Sequence, residues 1–144
     1  MNEFYQKDII SIKDFDKEQL ETVFSYTDKI LQLDPIQRRE ICKGKTLGYL
    51  FFEPSTRTKS SFQIALMNLG AQYIDINPHT SSIIKGESIS DTIETLALMG
   101  VELFIIRHSE FIISDLANQY TDLCFINAGA GSQSHPTQAL TDLL

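Results

Sequence analysis

The chain has 144 residues, of which 42% are hydrophobic and 22% charged, the balance of one ordinary folded domain. This balance argues against disorder, and no apolar run approaches the roughly 18 residues that a membrane-spanning helix needs. The formal net charge of −7 argues against a nucleic-acid binder, although a few local cations still allow a small anionic substrate. The start, MNEFYQKDII, lacks the layout of a signal peptide, so we expect a cytoplasmic protein.

The sequence lacks the motifs of several common enzyme and binding-site classes. Cys42 and Cys124 lie far apart without a CxxC pair, which is typical of reduced structural thiols rather than of a disulfide framework or metal ligands. The sequence contains no GxxxxGK[ST], GxSxG or HExxH, and the turn after the first predicted strand reads EPSTRT instead of GxGxxG.

Apolar spacing predicts helices that alternate with strands. In chain order, the predicted helices span residues 16–33, 56–69, 90–99, 110–120 and 137–144. The predicted strands span residues 46–52, 71–76, 101–106 and 122–126. Pro35 is expected to end the first helix before a connector over 36–45, and Ser90 or Asp91 is expected to cap the third helix.

Continuously apolar strands that alternate with helices predict an α/β fold. We expect a four-stranded parallel sheet flanked by helices on both faces, a three-layer, Rossmann-like sandwich. Ligands of such sheets bind beyond the carboxyl ends of the strands. The informative loops are therefore 53–58, 77–88, 107–109 and 127–136.

The first of these loops combines hydroxyl side chains with a cation at the start of a helix. In order, the residues are Ser55, Thr56, Arg57 and Thr58. Free backbone N–H groups and the helix dipole favour an anion there, and the arginine fork matches phosphate oxygens. The alternative interpretation is an ordinary N-cap with a solvent-exposed arginine.

The other three loops add cations and neutral donors. The second loop holds two serines and a lysine, namely Ser81, Ser82 and Lys85, which alone are more typical of a flexible surface loop than of a binding site. Arg107 and His108 follow the third strand, and His135 and Gln138 flank Pro136, which favours the first turn of a helix. Because all four loops leave one sheet edge, we expect a site for a small phosphate ester or anhydride that carries a carbonyl group.

Four stretches in this order resemble a known enzyme family. They are FFEPSTRT, SSIIKGES, IRH and NAGAGSQSHPTQALTDLL, and over nearly the whole chain they resemble the amino-terminal, carbamoyl-phosphate-binding domain of aspartate carbamoyltransferases. Within the wider family, HPTQ and Lys85 are similar to the aspartate branch, whereas the ornithine branch usually shows HPCQ and lacks that lysine. The sequence departs from the family pattern at Ala130, usually an aspartate, and at Lys59 and Gln63, often arginine and glutamate.

The resemblance implies transfer of the carbamoyl group from carbamoyl phosphate to L-aspartate, giving N-carbamoyl-L-aspartate and phosphate in pyrimidine biosynthesis. It implies that the catalytic residues are Arg57, Thr58, Arg107 and His135. It implies that carbamoyl phosphate is bound by Ser55, Thr56, Arg57, Thr58, Arg107, His135 and Gln138. No metal and no redox cofactor is expected, and the departing phosphate is expected to take the proton of the amine.

The resemblance also implies that Ser82, with Ser81 as the alternative, and Lys85 reach aspartate in the active site of the neighbouring subunit of a homotrimer. The last predicted helix has an apolar face without a partner. We therefore expect residues 1–144 to form the carbamoyl-phosphate-binding domain of a protein about twice as long, with the aspartate-binding domain after residue 144. Two alternatives are a carbamoyltransferase for ornithine or another amine, and a non-catalytic anion-binding module, against which the complete STRT and HPTQ sets argue.

Overall fold

The computed structural model describes residue 4 and residues 7–77, 86–132 and 134–144. The α-helices within these residues are α1 (Lys17–Gln32), α2 (Pro35–Glu40), α3 (Thr56–Leu69), α4 (Ile89–Leu98), α5 (Ile113–Gln119) and α6 (Pro136–Leu143). The strands are β1 (Thr46–Phe51), β2 (Gln72–Ile76), β3 (Leu103–His108) and β4 (Cys124–Ala130). A short 3-10 helix, Ile12–Asp14, precedes α1.

The four strands form one parallel sheet in the order β2-β1-β3-β4, which confirms the predicted α/β fold. The chain leaves β1 toward β2 and then crosses back over β1 to reach β3, so the strand order reverses between β1 and β3. Phe51 pairs with Arg107 where these two strands end. Ligands of open parallel sheets bind at such a reversal, beyond the carboxyl ends of the strands.

An apolar core lies on each face of the sheet. On one face, Ile93 of α4 and Leu116 of α5 pack with Phe104, and on the other, Leu66 of α3 packs with Tyr49. Burial of large side chains on both faces explains why β1, β3 and the first part of β4 read as continuous apolar runs, whereas the edge strand β2 exposes Gln72 and Asp75. Cys42 and Cys124 are free, half-buried thiols at the margins of this core.

The N-terminal segment adds a short pairing to the outer edge of β4, where the sequence predicted no element. Ile9 forms a parallel bridge with Ile126, with its N–H donating to Phe125 O at 2.8 Å and its carbonyl accepting from Asn127 N at 2.9 Å. The Asp8 carboxylate accepts from Phe125 N at 2.8 Å. The segment therefore satisfies backbone groups that an edge strand would otherwise leave open.

The predicted connector over residues 36–45 is wrong in its first part, because Pro35 begins helix α2 instead of only ending α1. Asp34 caps this helix by accepting from Ile36 N and Gln37 N, and Gln37 returns a hydrogen bond to Asp34 N. Proline suits the first helical position, where the missing N–H would have no partner.

Several other boundaries also differ from the prediction. Ser88, rather than Ser90 or Asp91, caps α4, and Asp91 completes the capping box. Strand β3 includes Arg107, and β4 continues through Gly129, because pairing between β3 and β4 extends as far as His108 and Ala130. None of the helices in the described part of the chain has the length and apolar character that crossing a bilayer requires.

Candidate active site

A cleft of about 980 Å³ opens at the carboxyl end of the sheet, between the start of α3 and the start of α6. All seven residues predicted to bind carbamoyl phosphate line it: Ser55, Thr56, Arg57, Thr58, Arg107, His135 and Gln138. The other lining residues are Pro54, Ser61, Phe62, Ala65, Thr137 and Thr141. The structure thus brings together one end of β3 and two helix starts that lie far apart in the sequence.

The first wall of the cleft is the N-terminus of α3, which differs from the capped starts of α1, α2 and α4. Those three helices begin with capping boxes, whereas the N-cap of α3, Ser55, makes no side-chain capping bond among the described residues. The backbone N–H groups of a first helical turn have no partner within the helix. The hydroxyl of Ser55 and these N–H groups are consequently available to an anion, and the exposed Arg57 lies beside them.

Arg107 forms the floor of the cleft, and 18% of its side chain is exposed. Its Nη1 donates to Ala128 O at 3.0 Å, and its Nε lies 3.5 Å from a Glu53 carboxylate oxygen. The buried Nε makes no hydrogen bond to any described residue. The cation is therefore held in place by β4 and the β1–α3 loop, where its remaining donors can meet a ligand.

His135 forms the opposite wall as the N-cap of α6. Its Nδ1 accepts from Gln138 N at 3.3 Å, and because a backbone N–H can only donate, the neutral ring carries its proton on Nε2. Nε2 lies 3.4 Å from Thr58 Oγ1 across the cleft. Burial and the charge of Arg107 lower the pKa of His135 below its ordinary value. At neutral pH the ring is accordingly a neutral Nε2–H donor that faces the cleft.

The remaining predicted site residues are placed differently. Gln138 is exposed, and its Nε2 donates to Asp142 Oδ1 at 2.8 Å along α6. His108 does not line the cleft, because its ring packs edge-to-face on Phe52 and its Nδ1 accepts from a backbone N–H. Ser81, Ser82 and Lys85 lie outside the described residues.

Two of the departures from the family pattern have clear structural settings. Lys59 forms an ion pair with Asp75 of β2 at 2.7 Å and does not line the cleft. Ala130 is 2% exposed at the end of β4, where its N–H donates to Ser134 O at 2.9 Å.

Arg107 is contacted by two residues for which the sequence predicted no role, Glu53 and Gly129. Phe51 pairs with Arg107 in the register of β1 and β3, and Glu53 lies two residues further along the chain. Knowledge of this strand register would have indicated the contact between Glu53 and Arg107. Gly129 lies so close that a Cβ there would be 2.3 Å from Arg107 Nη1. A glycine beside a strand end is a signal for close approach of the backbone, although the sequence does not name the partner.

The cleft combines an uncapped helix start, two arginines and a neutral imidazole donor. The helix start and the arginines suit the oxygens of a phosphate group. The donors of Thr58, Arg107 and His135 converge where a carbonyl oxygen could accumulate negative charge. The described residues contain no group of three or more His, Cys, Asp or Glu side chains that could hold a metal ion.

Comparison with protein families gives a match over residues 7–144 to "Aspartate/ornithine carbamoyltransferase, carbamoyl-P binding domain". Among curated proteins, the chain is 55% identical over 144 residues to the aspartate carbamoyltransferase catalytic subunit of Nitrosopumilus maritimus, covering 99% of this chain and 46% of that protein. It is 45% identical to the corresponding subunit of Cenarchaeum symbiosum, covering 97% and 45%. The chain thus spans about half the length of the curated relatives that it matches.

Solved structures with the same fold include a Trypanosoma cruzi aspartate transcarbamoylase in complex with carbamoyl phosphate and aspartate. It superposes with a TM-score of 0.84 at 31% identity, over 97% of this chain and 44% of that chain. The catalytic subunit of the M. jannaschii enzyme superposes with a TM-score of 0.82 at 38% identity, over 95% of this chain and 45% of that chain.

Proposed function

Because this chain belongs to the aspartate/ornithine carbamoyltransferase family and matches its carbamoyl-phosphate-binding domain, we propose that it binds carbamoyl phosphate for transfer of the carbamoyl group to L-aspartate. The products would be N-carbamoyl-L-aspartate and phosphate, in pyrimidine biosynthesis. The observation that carries this proposal is the meeting of Thr58 and His135 across one cleft above Arg107. The cytoplasmic location expected from the sequence is part of the same proposal.

In the proposed mechanism, Ser55, Thr56 and Arg57 hold the phosphate at the start of α3, and Arg107 reaches both the phosphate and the carbonyl oxygen. Attack by the amine moves charge onto that oxygen, where the hydroxyl of Thr58 and the Nε2–H of His135 stabilise it. Gln138 would leave Asp142 and orient the carbamoyl NH2 group. The departing phosphate would take the proton of the amine.

We propose aspartate rather than ornithine as the acceptor because the sequence shows HPTQ and Lys85, and because the curated relatives are aspartate carbamoyltransferases. The aspartate-binding domain, absent from these 144 residues, would follow them. In the proposed homotrimer, Ser82 and Lys85 would complete the site of a neighbouring subunit. A direct test of the acceptor is to assay the full-length protein with aspartate and with ornithine at equal concentrations.

Urea unfolding at 25 °C with and without ligand tests the carbamoyl phosphate site in this chain. A ligand at 100 times its Kd adds about 2.7 kcal/mol to the free energy of unfolding, which moves the urea midpoint by about 1 M or more. We expect carbamoyl phosphate to protect more than inorganic phosphate at equal concentration, and Arg57→Ala to abolish the difference. Arg39→Ala, which removes an exposed arginine of α2 outside the cleft, is the matched control.

Two outcomes of this titration would contradict the proposal. Equal protection by phosphate and carbamoyl phosphate would indicate an unspecific anion site. Protection that survives Arg57→Ala but disappears in Arg39→Ala would place the ligand outside the cleft.

A further inference from the structure

Asn127 is a buried amide in β4 that does not line the cleft but holds two parts of the chain that lead to it. Only 1% of its surface is exposed. Its Nδ2 donates to Ile10 O at 2.9 Å and to Ser134 O at 3.4 Å, and its Oδ1 accepts from Gly129 N at 2.8 Å. Both amide hydrogens and the amide oxygen are thus used.

On one side, Asn127 fixes the peptide group that holds Arg107. The N–H of Gly129, which donates to Asn127, and the carbonyl of Ala128, which accepts from Arg107 Nη1 at 3.0 Å, belong to the same peptide group. Because a peptide group is planar, fixing the direction of its N–H also fixes the direction of its carbonyl. The side chain of Asn127 consequently determines where the acceptor of the Arg107 guanidinium lies.

On the other side, Asn127 fixes the peptide group that leads into His135. Ser134 O accepts from Asn127 Nδ2 and from Ala130 N at 2.9 Å, and this carbonyl belongs to the peptide group shared with the backbone nitrogen of His135. His135 is the N-cap of α6, so the direction of the chain at Ser134 sets the direction in which its ring enters the cleft.

We propose that Asn127 is a positioning residue for carbamoyl phosphate, whose single carboxamide holds Arg107 and His135 at the spacing that the ligand requires. The proposal rests on the proposed function. Ile10, the third partner, ties the same amide to the N-terminal segment, so that the amide is anchored from outside the β4–α6 loop as well. Asn127 touches no ligand and acts through the two peptide groups that it holds.

The test uses Asn127→Ala and Asn127→Ser, because both side chains are smaller than asparagine and fit the site without a clash. We expect the Kd for carbamoyl phosphate, measured by isothermal titration, to rise about 10- to 100-fold, which corresponds to the loss of one hydrogen bond between the ligand and a charged group. We also expect the pKa of His135 to rise toward its ordinary value. Burial and the charge of Arg107 lower this pKa, and both weaken when water enters and Arg107 moves away, whereas the charge of Asp142, which favours the protonated ring, remains.

The pKa of His135 is measured by NMR of labelled histidine, since the chain has only three histidines and His135→Gln assigns the signal. Thr92→Val is the matched control, because Thr92 is the other buried polar side chain among the described residues and its hydroxyl bonds only to Glu87 and Ser88, just before α4. It should lower the free energy of unfolding without changing the Kd or the pKa of His135.

Wild-type values of both the Kd and the pKa of His135 in folded Asn127 variants would overturn the proposal. Failure of both variants to fold would also overturn it, because Asn127 would then serve the fold and not the site. If the wild-type protein itself does not bind carbamoyl phosphate, the proposed function fails, whereas the histidine titration still decides whether Asn127 positions His135.

Discussion

Gly129→Ala should weaken carbamoyl phosphate binding by displacing Arg107 while leaving the fold in place. Gly129 has φ of +121°, and a Cβ there would lie 2.3 Å from Arg107 Nη1 and 3.1 Å from Arg107 Cζ. These atoms are at the end of a flexible side chain, so the guanidinium would move and the backbone would stay. Such a move breaks the hydrogen bond to Ala128 O and takes the cation away from the cleft.

The size of the effect follows from the contact that the ligand loses. A hydrogen bond to a charged group contributes about 1.5–3 kcal/mol, and each 1.4 kcal/mol changes Kd about tenfold. The Kd for carbamoyl phosphate should therefore rise about 10- to 100-fold, and no further than in Arg107→Ala. The strained backbone of alanine at positive φ costs on the order of 1–3 kcal/mol of stability in addition.

Gly100→Ala separates backbone strain from the contact with Arg107. Gly100 has φ of +96°, but a Cβ there would meet no atom of the described residues within 4 Å. Isothermal titration with carbamoyl phosphate and urea unfolding should show that both variants lose similar stability, whereas only Gly129→Ala loses affinity. Equal Kd values for the two variants would refute the reasoning, because the contact with Arg107 would then have no effect on the ligand.

Three further predictions concern the cleft and the proposed contact between subunits. In the full-length protein, Arg57→Ala should mainly raise the Kd for carbamoyl phosphate. His135→Ala should mainly lower kcat, because the imidazole meets charge that develops in the transition state. Binding and steady-state measurements that show the same pattern in both variants would contradict these roles. Mixing Arg57→Ala and Lys85→Ala subunits should restore some activity, unless hybrids form and stay inactive, which would exclude a shared site. The lowered pKa of His135 means that the unfolded chain binds more protons, so the free energy of unfolding should fall as pH drops below about 6.5 toward the folded pKa. His135→Gln should reduce that slope in urea titrations, and an unchanged slope would show that the ring is not buried as described.

The order and type of most elements could be predicted because apolar spacing reports burial directly. Helix α3 has the predicted bounds, since Gly70 ends it in the left-handed conformation. Helix α2 could not be predicted from apolar spacing because it has only six residues, its isoleucine Ile36 is exposed, and it forms through the caps of Asp34 and Gln37. The ends of β3 and β4 depend on pairing between distant segments, and the glycine at the end of β4 gives no strand signal of its own.

For the site, the sequence could predict seven of the residues that line the cleft, because helix-start chemistry and strand-end loops mark them locally. It could not predict that Glu53 and Gly129 contact Arg107, or that Asn127 bonds to Ile10 across a sequence separation of 117 residues. Those contacts depend on strand register and on the path of the N-terminal segment. No local pattern in the sequence encodes either of them.

The pairing of Ile9 with β4 has a consequence for folding and aggregation of the chain. The hydrogen bonds of this segment join residues 117 apart, so we expect them to form late in folding, after β4 has joined the sheet. Until then, the outer edge of β4 exposes backbone groups to which a second chain could add a strand. Deletion of residues 7–10 should therefore promote aggregation during refolding, with little effect on the helix content of the folded protein. A tag attached near this segment carries the same risk of aggregation.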